Sequence, residues 1–356
     1  MSAVVVELTR GSLVESFFRG DAAVVDSTGR LLFGVGDAGK VTFWRSSAKP
    51  IQALPVITTG AADAFGYTPE HLALFCASHN AEPVHTSTVL DALQRAGLSP
   101  EYLQCGAHLP YDKETAKAMQ AAGEEPGRIH SNCSGKHTGM LAIGTHLGLP
   151  VDDYMNPASE VQQVILACVA DVCGLEPGQI AIGVDGCGVP VFGMPLTHMS
   201  LAFARLADPD RMPAGKQEAG LRMRGAMIAH PHHVAGKGRI CTDLMNLPGG
   251  RFVAKSGAEG VYSVGILPEV VAASPVFQRA GARGGVGITV KVEDGNTDAR
   301  HLMIVEILRQ LEVLTEADLD ALAKYRPTPI KNWAGKVVGE KRVAFTLQPV
   351  EGVTVG

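Results

Sequence analysis

Apolar and polar positions alternate differently in three parts of the chain. Short apolar runs at 4–8, 22–26 and 31–34 have strand length, and the Ser27-Thr28-Gly29-Arg30 tetrapeptide between the last two has hairpin-turn composition. They predict a small N-terminal antiparallel sheet. From 47 to 59 the spacing suits a helix, which Pro55 should kink or end because it lacks the N–H that an interior helical position needs. Helical spacing recurs over 84–96, 113–121, 137–147 and 159–172, so the middle of the chain, roughly 60–175, reads as mainly helical. Strand patterns return at 180–185, 251–255, 261–267 and 287–292. After the Glu293-Asp294-Gly295-Asn296 turn, an amphipathic helix is expected over 297–313.

Strands at both ends of a helical middle predict an α+β fold whose antiparallel sheet is assembled from the N- and C-terminal parts. No repeat, low-complexity tract or Gly/Pro/Ser-rich linker cuts the chain, and 281–287 reads as a loop within the sheet region. A single catalytic domain over 1–356 is therefore expected. At 46% hydrophobic and 19% charged residues, the chain has ample core material and too little charge for disorder. The net charge is −5 with both signs interspersed, which leaves no basic face for a nucleic acid backbone. The apolar stretch at 4–6 lacks a preceding basic segment and is too short for a signal sequence or a membrane span, so a cytoplasmic protein without a membrane partner is expected. Seven cysteines, an odd number in a chain with no export signal, argue against a disulfide framework and for buried thiols.

Three short patterns carry chemistry. Ser46-Ser47-Ala48-Lys49 is S-x-x-K, Ser78-His79-Asn80 is S-x-N, and Lys255-Ser256-Gly257 is K-[ST]-G. In this order they form the set used by serine β-lactamases and penicillin-binding proteins. A serine at a helix start with a lysine three positions on places an amine within reach of the hydroxyl. Where burial and neighbouring cations lower that lysine's pKa, the neutral amine takes the serine proton, and the helix N-terminus favours the developing negative charge. Ser78 and Lys255 would supply a second hydroxyl and amine, and Asn80 an amide for positioning substrate. Singly, each pattern has an ordinary explanation: a helix-capping serine, a surface lysine, a strand followed by a turn. Jointly, and in order, they point to catalysis. Cys133 and Cys187 lie in glycine-flanked segments, 131–137 and 183–190, where backbone could approach a ligand closely. Their spacing lacks the C-x-x-C doublets of a zinc site, so spacing alone leaves them buried thiols.

The strings Arg45-Ser46-Ser47-Ala48-Lys49-Pro50, Cys76-Ala77-Ser78-His79-Asn80, Asn132-Cys133-Ser134-Gly135-Lys136-His137, Asp185-Gly186-Cys187-Gly188 and Lys255-Ser256-Gly257 closely resemble those of the rhizobial-type L-asparaginases, the asparaginase II family. The resemblance implies a serine β-lactamase-like fold, hydrolysis of L-asparagine to L-aspartate and ammonia, and a homodimer. It implies two Ser/Lys tandems, Ser46 with Lys49 and Ser78 with Lys255, and a zinc ion held by Cys133, Lys136 and Cys187. Arg45, Asn80, His137 and Asp185 would stand beside the substrate. A lysine ligand binds only as the neutral amine, so the metal must displace its proton. No carboxylate that would activate the hydrolytic water can be named beyond Asp185 as a candidate.

Three rival readings share these residues. A glutaminase or other small-amide hydrolase differs by one methylene in its substrate, worth only about 1–3 kcal/mol of discrimination. A covalent acyl-binding sensor would be acylated and stay so. In a metal-led hydrolase the zinc would activate the attacking water, although two thiolates weaken zinc as a Lewis acid.

Overall fold

The computed structural model describes residues 1–355, which form two compact units: residues 1–47, 194–208 and 256–355 in one, 48–193 and 209–255 in the other. The strands in chain order are β1 (Ala3–Arg10), β2 (Leu13–Asp26), β3 (Leu31–Val35), β4 (Val41–Phe43), β5 (Ala181–Val184), β6 (Pro190–Pro195), β7 (Phe252–Ser256), β8 (Val261–Ile266), β9 (Val286–Val292), β10 (Thr328–Lys331), β11 (Val337–Val343) and β12 (Gln348–Pro349).

The first unit is built on an antiparallel sheet ordered β10-β11-β1-β2-β9-β8, with β3 paired to both β2 and β12. Strands from the two ends of the chain therefore share one sheet, as the α+β reading requires. The hairpin at 27–30 is present, closed by Asp26 N–H donating to Arg30 O at 3.0 Å. β9 lies between β2 and β8, with Val24 opposite Ile288 and Val264 opposite the same residue, and every residue of β9 is buried. Two helices cover this sheet, Leu196–Ala207 and Thr297–Gln310. The first is almost wholly buried and is fastened by Ser200 Oγ, which donates to Ala23 O at 3.0 Å. Its polar residues, Thr197, His198, Ser200 and Arg205, are interspersed among apolar ones, and no helix was expected over this segment.

The second unit is mainly helical and extends further than the span 60–175. Its helices include Pro69–Phe75, Pro83–Arg95, Lys113–Ala122, Ser134–Leu147, Glu160–Cys173, Gln217–Ala229 and Ile240–Met245, with β5 and β6 paired antiparallel. The helix expected over 47–59 is instead a 3₁₀ turn, Arg45–Ala48, followed by two short helices, Lys49–Gln52 and Leu54–Thr58. The reason is two prolines: Pro50 and Pro55 each sit in the first turn of a helix, where the missing N–H costs nothing, and neither tolerates a longer helix running through it.

Candidate active site

The second unit gathers most of the chemistry around one fully buried amine. Lys49 Nζ lies 2.6 Å from Ala77 O, 3.0 Å from Ser78 Oγ and 3.2 Å from Cys133 Sγ, three hydrogen-bonding partners around one amine. Ser78 Oγ also accepts from Lys255 Nζ at 2.9 Å, so one hydroxyl lies between two amines, both wholly inaccessible to solvent. Ser78 is held by its backbone, whose N–H donates to Val234 O at 3.0 Å, while the next N–H, of His79, donates to Asn132 O at 3.2 Å. The S-x-N segment thus threads between two neighbouring segments, which fixes its side chains. Burial drives the Lys255 pKa down to about 7; the Cys241 thiol opposes the shift, and the charges of Lys49 and Arg239 add to it.

Beside this row lie two thiols and a third amine. Cys133 precedes the helix Ser134–Leu147, which carries Lys136 in its first turn, and Cys187 follows β5 in the loop leading to β6. Cys187 donates to Cys133 and holds the Cys133 pKa well below the usual thiol range against the opposing effect of burial, with Lys49 and Lys136 assisting; Cys187 is pushed up in return. Lys136 Nζ donates to Cys187 Sγ at 3.1 Å. Burial would lower the Lys136 pKa, but the combined charges of Cys187, Cys133 and Asp185 outweigh it and raise the value. The two sulfurs converge in a buried place as zinc ligands do, and Lys136 could join them only by giving up the proton that its raised pKa holds. Gly135, in the same motif, serves packing and not a ligand: a Cβ there would strike Leu74 O.

His137 is fully buried, and its Nδ1 lies 2.7 Å from Tyr154 Oη, which accepts Gln104 N–H at 3.0 Å. With that acceptor role filled, the tyrosine O–H donates to Nδ1, so the imidazole proton sits on Nε2. Nε2 has no partner among the described residues. Burial, with Lys136 and Lys49 nearby, lowers the His137 pKa and keeps the ring neutral. Tyr154 was missed in the sequence because an isolated tyrosine 17 positions from its histidine belongs to no motif.

Asn80, expected beside the substrate, has its amide engaged by protein. Its Nδ2 donates to Lys237 O at 3.1 Å and Glu82 Oε1 at 3.4 Å, and its Oδ1 accepts from Arg239 Nη1 at 2.8 Å. Asp185 is half-buried in the turn before Cys187, where its Oδ1 accepts Gly186 N–H at 2.9 Å. Glu82, His85 and His232 come close enough together to suggest a metal site, but their lone pairs are spoken for. His85 Nδ1 accepts Glu82 N–H at 3.1 Å, its Nε2 donates to His232 O at 2.9 Å, and His232 Nε2 pairs with Glu82 Oε2 at 2.9 Å.

Arg45 and Ser46 belong to the first unit. Arg45 has φ 54°, a left-handed conformation that costs a non-glycine residue energy, and its guanidinium stands 3.8 Å from the Glu259 carboxylate. Ser46 follows in the 3₁₀ turn, half-buried, and Ser47 is fully buried. The strained residue immediately before the S-x-x-K serine is a feature that no sequence pattern announces.

A family model described as L-asparaginase II matches residues 6–343. No curated protein matches the chain. Among solved structures, a Bacillus glutaminase is 14% identical with a TM-score of 0.37, covering 83% of this chain and 91% of its own. A β-lactamase from Mycobacterium bovis is 13% identical with a TM-score of 0.38, covering 86% of this chain and 94% of its own. Overlaps this loose carry no inference about the chain.

Proposed function

Because this chain belongs to the L-asparaginase II family, and is by that membership an amidohydrolase, we propose that it hydrolyses the side-chain amide of L-asparagine by acyl transfer to a serine. The observation that carries the reading is the row Lys49–Ser78–Lys255, in which a hydroxyl joins two buried amines at 3.0 and 2.9 Å. Such a row moves protons without solvent. In this reading Ser46 attacks the carboxamide carbon and Lys49, as the neutral amine, removes its proton. The C–N bond breaks as ammonia takes a proton delivered through Ser78 and Lys255, and water then hydrolyses the β-aspartyl ester. Backbone N–H groups beside Ser46 would hold the oxyanion. The depressed pKa of Lys255 lets that amine take up and release a proton near neutral pH, as its place in the delivery path requires. His137 Nε2–H, buried and unmatched, is a donor for substrate or for the hydrolytic water; the family motifs make Arg45 and Asp185 candidate neighbours of the substrate.

Zinc is part of the proposal, held by Cys133, Lys136 and Cys187. When bound, it would supply a positive centre for the polar part of the substrate, while the proton transfers remain with the Ser/Lys groups. Replacing both cysteines by serine should abolish stoichiometric zinc and raise KM more than it lowers kcat; retained stoichiometric metal would sink this assignment. A cytoplasmic homodimer completes the reading. Exposed Leu13, Phe17 and Trp333 offer apolar surface for association, and light scattering of the purified protein tests it. Among the described residues no helix is long and apolar enough to cross a membrane.

The substrate assignment is tested by comparing kcat/KM for L-asparagine and L-glutamine in one buffer. If the head group is anchored, the extra methylene displaces the carbonyl by about 1 Å or more, a misplacement worth on the order of a hundredfold. Equal values would favour a glutaminase. Ammonia release limited to a single turnover would favour a covalent sensor.

A further inference from the structure

Asn80 ties down one nitrogen of Arg239 and leaves the remainder of that guanidinium to other use. The loop carrying Arg239 is fastened at several points. Glu82 Oε1 accepts Lys237 N–H at 2.9 Å, and Asn80 Nδ2 donates to Lys237 O at 3.1 Å. Glu82 is itself braced by His232 at 2.9 Å. Gly236, at φ 105°, lies so close that a Cβ would meet Glu82 Oε1 at 2.5 Å and Asn80 Nδ2 at 2.6 Å, so only glycine lets the loop sit here. Asn80 then holds Arg239 Nη1 at 2.8 Å, and the guanidinium carbon lies 5.8 Å from the Tyr111 ring centroid.

What Arg239 lacks is an anion. The residue is half-buried, and among the described residues it forms no ion pair. Of the five N–H donors of a guanidinium, one goes to Asn80, which leaves a planar fork of the kind that matches a carboxylate in two parallel hydrogen bonds. Its charge also acts on Lys255, whose amine shares the Ser78 hydroxyl with Lys49. Positive charge accumulates around Ser78, therefore, and an anionic substrate group would offset it.

We propose that Arg239, oriented by Asn80, binds the α-carboxylate of the amide substrate and so restricts the enzyme to amino-acid amides with a free carboxylate. The proposal rests on the amidohydrolase reading of the same site. It assigns Asn80 a different task from the one its S-x-N position suggested: Asn80 is a positioning residue, and the donors offered to the substrate belong to Arg239.

The test measures ammonia release from L-asparagine and from 3-aminopropanamide, which keeps the amine and the amide but has no carboxylate. The enzymes compared are wild type, Arg239→Gln and Arg239→Lys. Arg239→Gln should lower kcat/KM for L-asparagine roughly 10- to 100-fold, the worth of a charged hydrogen-bonded pair, and mostly through KM. With 3-aminopropanamide the loss should shrink to within about threefold, since the interaction removed is one that this substrate never makes. Arg239→Lys keeps the charge without the fork and should fall between, and it carries the comparison if the glutamine variant does not fold. Equal fractional losses on the two amides, or an unchanged KM for L-asparagine, overturn the proposal. Failure of the functional reading looks different: wild type would release ammonia from neither amide. Calorimetric titration of L-aspartate into wild type and Arg239→Lys then decides, weaker binding by the variant supporting the carboxylate site and absent or unchanged binding overturning it.

Discussion

Asp21 in the sheet unit and Lys49 in the helical unit are both inaccessible to solvent, yet their surroundings differ in kind. The Asp21 carboxylate meets Lys40 Nζ at 3.0 Å, Ser2 Oγ at 2.8 Å and Asp37 N–H at 2.8 Å, so its charge is neutralised and its lone pairs are filled. Lys49 meets a carbonyl, a hydroxyl and the Cys133 sulfur, whose pKa is held well below the usual thiol range, and the equally buried Lys255 donates to the same hydroxyl. The first arrangement holds a charge in place. The second keeps amines out of water with partners that exchange protons, which is an expensive way to build a fold and a suitable way to build a catalyst. Under the proposed function, buried charge therefore has separate meanings in the two units, structural in one and chemical in the other.

The widest separation of the two roles should come from paired substitutions. Lys255→Met should reduce ammonia release by about 10²–10⁴-fold, the usual worth of a proton-transfer group. Its unfolding midpoint should be unchanged or higher, because an apolar side chain of similar length replaces a desolvated amine. Asp21→Ala should show the reverse, losing on the order of 3 kcal/mol of stability as Lys40 is left beside an empty partner. Activity per folded molecule should stay within about twofold, since the hydrogen bonds and ion pair of Asp21 involve none of Lys49, Ser78 and Lys255. Denaturant titration and steady-state assays on the two variants check both halves. A crossed result, with Lys255→Met unfolding the protein and Asp21→Ala silencing it, would erase the distinction.

A smaller effect sharpens the same contrast. Lys255 has a folded-state pKa of about 7 against an ordinary 10.5, so between those values the unfolded chain binds a proton that the folded chain has released. The contribution of this group to stability consequently rises with pH across that window and is constant below it. If the neutral amine is the working form, kcat/KM should climb tenfold per pH unit below about 7 and level off above it. A pH–rate profile that is flat from 5 to 9, measured with stability followed in parallel, would remove Lys255 from the proton path.

How much of this was readable beforehand depends on whether a feature is local. Lys49, Ser78 and Lys255 were identified because short motifs mark them, although their shared hydroxyl could not be seen in residues 29 and 177 positions apart. The strands around 22–34 and 287–292 were visible because short, largely apolar runs have strand length and are bounded by turn residues. The helix Leu196–Ala207 was missed although Leu196, Met199, Phe203 and Leu206 recur at helical spacing. The C-terminal hairpin of β10 and β11 was also missed: its residues are half-buried or exposed on both faces, which leaves no clean alternation. Cys133, Lys136 and Cys187 came from family resemblance and not from spacing. Arg239 and Tyr154 carried no signal, since each acquires its meaning from one hydrogen bond to a residue far along the chain.

The account rests on an acyl-enzyme formed at one serine and served by buried amines. The measurement that addresses it most directly is rapid acid quench of the protein turning over L-asparagine, followed by proteolysis and mass spectrometry of the Ser46 and Ser78 peptides, with Ser46→Ala as the control. A β-aspartyl adduct is predicted on the peptide containing Ser46. The Ser46→Ala protein should remain folded, because Ser46 is half-buried in a 3₁₀ turn and caps no helix, and it should show neither adduct nor ammonia. An adduct confined to Ser78, or a folded Ser46→Ala protein that still turns over, would contradict it.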